Sequence, residues 1–229
     1  MWTLQKELCK LAGKEDISQA LCHLKLLKSP NERYSLVGDD DWVRGGAETY
    51  IYRFWVKHTD VNREQEFIIK ACVAYSPASQ LNNVLEEWIK RRNLLENNGI
   101  SAPKLITFGQ GIIIEEFIQL PFLDALKANP DKLDSYLYQL TMFVGTLNRL
   151  NFAPIEPFSD LRSRGDDLVV VDFGEDLGPQ GSKNADSIKL FDKLIAKLND
   201  WDVQLNNNNI AKMRSIYQSE ICYSDSIHS

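Results

Sequence analysis

The hydrophobic positions fall into blocks with two different periods. Leu4, Leu8 and Leu11, then Ile17, Ala20, Leu21, Leu24 and Leu27, recur at steps of three and four, which predicts two short helices within residues 1–33. From Tyr34 the period becomes that of strands. Segments 34–37, 49–56 and 66–75 are β-branched and aromatic runs parted by polar turns, and three antiparallel strands follow. Leu81, Val84, Leu85, Trp88 and Leu95 share one face of a helix over 81–97, with Asn98-Gly99 as its stop. Residues 104–119 return to strand, and Gly109-Gln110-Gly111 predicts a hairpin turn before Ile112-Ile113-Ile114.

The second half opens on a strong helix over 132–150, where Leu133, Tyr136, Leu137, Leu140, Phe143, Val144, Leu147 and Leu150 line one face. An irregular, acid-rich loop follows. Leu168-Val169-Val170-Val171 then predicts a short buried strand running into Asp172-Phe173-Gly174. Helices near 187–199 and 210–219, with 206–209 as a polar connector, complete the pattern.

Composition narrows the picture. With 229 residues, 44% hydrophobic and 25% charged, the chain can bury a real core. No apolar stretch approaches the ~18–20 residues of a membrane span, and the N-terminus carries mixed charge before any apolar run, so a cytoplasmic protein without a membrane partner is expected. The four cysteines form no C-x-x-C pair and the three histidines stand in no ligand spacing with them, which argues against zinc and against a disulfide framework. A net charge of −6 argues against nucleic acid as a partner. Most of that excess acid lies in 121–229, which would suit a cationic substrate without selecting one.

Three features carry candidate chemistry. Arg44-Gly45-Gly46-Ala47-Glu48-Thr49-Tyr50 sits between two strands, where glycines let backbone N–H groups approach phosphate oxygens; a plain hairpin describes the same residues. Lys70 is a lone ammonium on a strand flanked by core residues, and such a charge needs a partner. On a helical wheel Glu87 lies beside Val84 and Arg91, nearer the apolar face than Glu86, which makes it the choice. Asp172 ends a buried strand and precedes a glycine within two residues, an arrangement suited to holding Mg²⁺ against phosphates. Around it cluster Glu156, Asp160, Asp166, Asp167, Glu175 and Asp176, against only Arg162 and Arg164. Gly165-Asp166-Asp167 also reads as a solvated turn.

The order of these features resembles the protein-kinase-like superfamily, and within it the aminoglycoside phosphotransferase-like and other small bacterial kinases, over residues 36–200. The helix exit Gly99-Ile100-Ser101-Ala102-Pro103 is similar to that of small-molecule kinases. The resemblance implies an α+β, two-lobed protein-kinase-like fold: a helical extension at 1–33, an antiparallel-sheet N-lobe with one helix at 34–120 and a small, mostly helical C-lobe at 121–229. It implies ATP and Mg²⁺ as cofactors and transfer of a γ-phosphate to a hydroxyl of a small molecule or protein. Gly45 and Gly46 would cover the phosphates, Lys70 would contact them and pair with Glu87, and the strand and hinge at Glu116 and Phe117 would offer backbone to adenine. Asp172 would hold the metal, with Asp166 a second candidate.

The chain departs from the family in the loop before Asp172, where the His-Gly-Asp or His-Arg-Asp element and its Asn are missing. One register sets Pro154 at the base and Ser159 at the ligand position, a second sets Glu156 and Leu161 there, and a third reads Asp160-Leu161-Arg162 as the catalytic element and leaves Gly165 as ligand beside Asp166. Asp160 and Glu156 are the acid–base candidates. The departure also favours a pseudokinase, a nucleotide-binding or inactive scaffold that regulates a protein partner. A structural adaptor, the third class, would be indifferent to Lys70→Ala and Asp172→Ala.

Overall fold

The computed structural model describes residues 4–38, 43–45, 49–59, 63–72, 81–152, 154, 156–174, 177 and 187–222. The architecture is α+β and divides into two compact units, residues 1–89 with 103–117 and residues 90–102 with 118–229. The chain crosses between the units after residues 89, 102 and 117.

The first unit is built on a fully antiparallel sheet. Its strands are β1 (Tyr34–Gly38), β2 (Val43–Gly45), β3 (Thr49–His58), β4 (Arg63–Cys72), β5 (Leu105–Gly109) and β6 (Ile112–Glu116). They run in the order β1-β3-β4-β6-β5, with β2 paired to the start of β3. Residues alternate between faces. Tyr52, Phe54, Val56, Phe67, Ile69, Ile112 and Ile114 form one face and are buried against Leu4, Leu8, Leu21 and Leu24 of the N-terminal segment, so the extension at 1–33 belongs to this unit's core. Its helices are α1 (Leu4–Ala12) and α2 (Ile17–His23); the Asp16 side chain caps α2 by accepting from the Gln19 N–H at 2.9 Å. On the opposite face, Leu85, Trp88 and Ile89 of α3 (Leu81–Asn97) bury against Ile113. The β5–β6 turn takes positive φ at Gln110 (50°) and Gly111 (79°), the conformation of a tight two-residue hairpin. Helix α3 ends at Gly99 (φ 84°), with the Ile100 N–H donating back to the Leu95 carbonyl.

The second unit is organised by α5 (Leu133–Arg149), which buries Tyr136, Leu137, Leu140, Phe143, Val144 and Leu147. Around it lie α4 (Phe122–Ala128), the hairpin β7 (Leu161–Arg164) and β8 (Asp167–Val170), α6 (Ser187–Asp200) and α7 (Asn207–Cys222). Among the described residues no helix is long and apolar enough to cross a membrane.

Several elements differ from expectation. The strand expected over 66–75 starts three residues earlier, at Arg63, because its ladder with β3 starts at His58↔Arg63; residues 73–75 lie outside the described residues. The loop after α5 contains β7, whose Leu161 and Ser163 are buried between Arg162 and the exposed Arg164. The polar connector at 206–209 is the start of α7: Asn206 Oδ1 accepts the Asn209 N–H at 2.9 Å and Asn209 Oδ1 accepts the Asn206 N–H at 3.2 Å, a reciprocal cap of the capping-box type. Helix α4 and strand β2 had no counterpart in the sequence reading.

Two local contacts lead to tests. A Cβ on Gly145 would sit 2.8 Å from Cγ of Glu220, the residue that accepts from Arg149 (Nη2–Oε1 2.8 Å) and Thr146 (3.1 Å). Gly145→Ala should therefore force α5 and α7 apart and cost about 1–3 kcal/mol, read as a shift in the urea midpoint. At the β3 end, Glu32 accepts from the Lys28 amide (2.9 Å) and from the buried His58 ring (2.6 Å). The Lys28 amide first, and then His58, hold the Glu32 carboxyl below the ordinary glutamate value. Its contribution is complete above about pH 4.3, the unfolded value, and is lost as pH falls through the lower native value. Glu32→Gln should flatten the acid-side fall of the melting temperature.

Candidate functional site

In the sheet unit the charges gather on the face that also carries Ile113. Lys57–Glu64, Arg53–Glu66 and Lys70–Glu115 are three ion pairs of this face, and burial separates them. The first is close to half exposed (45% and 46% of each side chain) and contributes little. In the last, Lys70 Nζ lies 2.6 Å from Glu115 Oε1, with only 9% and 2% of the side chains exposed. Register explains the pairing: Lys70 stands opposite Ile113 and Ile68 opposite Glu115, so the two charges are diagonal neighbours on adjacent strands. Glu115, which sequence reasoning passed over, is thus an acid at ion-pair distance from Lys70. Glu87, the choice from the helical wheel, is exposed on α3.

The other residues expected around a nucleotide are placed as follows. Gly45 ends β2 opposite Thr49, whereas Gly46 lies outside the described residues. The Glu116 N–H donates to the Lys104 carbonyl (2.9 Å) and its carboxylate accepts the Lys104 N–H (3.1 Å). The Phe117 N–H donates to the Glu66 carbonyl at 3.3 Å, so both hinge amides are committed within the sheet unit. The Arg53 guanidinium lies 4.4 Å from the Phe117 ring centroid and 4.7 Å from that of Trp55, a cation–π cluster closed by Glu66.

In the helical unit the β7–β8 hairpin organises the acids. Leu161 pairs with Val170, and one step beyond, the Val171 N–H donates to the Asp160 carbonyl at 3.0 Å. Asp160 and Asp172 are thereby brought to the same open end of the hairpin, both half-buried. Ser159 Oγ donates to Asp160 Oδ2 (2.8 Å), and Asp172 Oδ1 accepts the Gly174 N–H (2.9 Å). Glu156 is exposed, four residues earlier, with its carbonyl accepting from Ser159 Oγ. Asp166 sits at the opposite, turn end, where Lys132 Nζ reaches both its oxygens at 2.7 and 2.8 Å. That hydrogen bond to Asp166 raises the Lys132 pKa. Four strand residues at ~3.3 Å each put about 13 Å between the two ends, so the hairpin separates Asp166 from Asp172. Glu175 and Asp176 lie outside the described residues.

The hairpin is fixed from three sides. The Val170 N–H donates to the Ser101 carbonyl (2.9 Å) and the Ser163 N–H to the Leu120 carbonyl (2.8 Å). Gln139 of α5 donates to the Asp166 carbonyl (2.9 Å) and accepts the Leu168 N–H (2.7 Å). Among the described residues no group of three or more His, Cys, Asp or Glu side chains converges as a metal cage. Two carboxylates at one open end still fit Mg²⁺, which takes one or two carboxylates and completes its shell with phosphate oxygens and water.

No family model matches the chain, and no curated protein does. Solved structures do match: the streptomycin–ATP–APH(2″)-IIa ternary complex at 14% identity, over 99% of this chain and 95% of that one, with a TM-score of 0.41. The ADP-bound aminoglycoside phosphotransferase APH(2″)-Ib matches at 14% identity over 85% of this chain and 55% of that one, with a TM-score of 0.32. Likeness of this degree leaves the site to be argued from this chain's own residues.

The buried pair makes a stability prediction. Glu115→Leu leaves Lys70 without this carboxylate and should cost about 3–5 kcal/mol, whereas Lys70→Met with Glu115→Leu should recover most of that loss in the same urea titration.

Proposed function

We propose that this chain is an ATP- and Mg²⁺-dependent phosphotransferase acting on a hydroxyl of a small molecule or protein. The observation that carries the reading is the backbone placement of Asp160 and Asp172 at the open end of the β7–β8 hairpin, next to the Val171-to-Asp160 backbone hydrogen bond. Asp172, held by the Gly174 amide, is the residue to bind the metal. When bound, Mg²⁺ neutralises phosphate charge and orients the transferring group. Asp160 is the residue to accept the proton of the acceptor hydroxyl as its oxygen bonds to the γ-phosphorus and the bond to the β-phosphate oxygen breaks, releasing ADP. Glu156 is the lesser candidate, because it is exposed and lies outside the Asp160–Asp172 end. Lys70 supplies positive charge for phosphates from the sheet unit. Phosphoryl transfer depends mainly on positioning and charge stabilisation, so a divergent catalytic loop lowers the rate more readily than it removes binding.

A second reading, an inactive kinase-like scaffold, is favoured by one specific feature. Glu115 holds a buried carboxylate 2.6 Å from the Lys70 ammonium, and that carboxylate competes with phosphate for the same charge.

A thermal-shift titration with ATP, with and without Mg²⁺, separates the readings, because a ligand that binds only the native state raises the melting temperature. We expect a Mg²⁺-dependent shift in the wild type that is lost in Asp172→Asn. Asp160→Asn should keep the shift and lower ATP turnover about 100-fold or more, as loss of a general base does. No shift with any nucleotide would leave the scaffold reading standing.

A further inference from the structure

Gly174 is held on both sides of its Cα. Its N–H donates to Asp172 Oδ1 at 2.9 Å, which aims the carboxylate. Its carbonyl accepts from Nη1 of Arg91 on α3 at 2.6 Å and, more weakly, from the Leu177 N–H at 3.3 Å. The neighbouring Arg92, only 3% exposed, lies 5.8 Å from the Phe173 ring centroid and is itself held by Glu96 at 3.1 and 3.3 Å. Two consecutive arginines of one helix thus grip the turn that carries Asp172, and both belong to the helical unit.

Glycine is the residue whose backbone least determines its own conformation. Where a carboxylate is aimed by the amide of such a residue, its direction is only as fixed as the peptide on the far side. From this geometry we infer that Arg91 is a positioning residue for Asp172: by holding the Gly174 carbonyl it sets the carboxylate direction, and with it the affinity of the site for a divalent cation. The inference rests on the metal-binding role proposed for Asp172. Arg91 donates to a neutral carbonyl, so its effect runs through geometry. Its positive charge alone would oppose a cation nearby, and the two effects therefore have opposite signs.

Two measurements on the full chain decide it. Hydrogen exchange of the segment around 171–174 should accelerate at least several-fold in Arg91→Met and partly in Arg91→Lys, with protection of α5 unchanged. In the ATP thermal-shift assay, the Mg²⁺ concentration giving the half-maximal shift should rise roughly tenfold in Arg91→Met, the scale of outer-shell effects on metal sites, while the metal-free ATP shift stays the same. Unchanged exchange would overturn the inference. Faster exchange with an unchanged or lower Mg²⁺ midpoint would overturn the link to the cation. A wild type with no Mg²⁺-dependent shift would instead sink the proposed function and the metal role with it, while the exchange result would still report whether Arg91 orders the turn.

Discussion

A polar side chain on a buried helix face is costly unless it finds a partner, and on α5 Thr141, Thr146 and Asn148 find theirs, while the buried Tyr136 hydroxyl has no hydrogen-bond partner among the described residues. Thr141 returns its hydroxyl to the Leu137 carbonyl (2.7 Å), Asn148 donates to the Tyr217 hydroxyl (2.6 Å), and Thr146 reaches Glu220. Each of these bonds removes a desolvation penalty that the apolar surroundings would otherwise impose. Gln139 and Lys132, at the edge of the same packing, grip the β7–β8 hairpin. The position of the hairpin is therefore tied to the packing of α5. Because Gly145 admits α7 so closely, a side chain added there is felt along the whole helix.

The sheet unit solves a different problem. One face is closed mainly by aliphatic side chains of the N-terminal segment; the other carries, among the described residues, ion pairs whose burial rises from Lys57–Glu64 to Lys70–Glu115. The exposed pair is almost free of consequence, whereas the buried one is costly to break and adds little net stability over an apolar pair.

Long periodic elements were legible in the sequence. The apolar stripe of 132–150 and the face of 81–97 each carry enough repeats to announce a helix, and Gln110-Gly111 announces its turn through the φ it must adopt. Some short elements, β2, α4 and β7 among them, were not. Strand β7 did show alternation, Leu161 and Ser163 inward, but four residues among so many acids read as a loop. Asn206 and Asn209 resembled a connector because a capping box is a reciprocal relation between side chain and amide. Asp160, Asp172 and Lys70 stood out by residue type and setting. Glu115 and Arg91 did not, since the first depends on strand register and the second on a contact across 83 positions of chain.

The N-terminal helices have a consequence for biosynthesis. Leu4, Leu8, Leu21 and Leu24 leave the ribosome well before Ile112 and Ile114, which complete the surface they cover. At ~5–20 residues per second, a nascent chain carries that leucine-rich surface uncovered for several seconds.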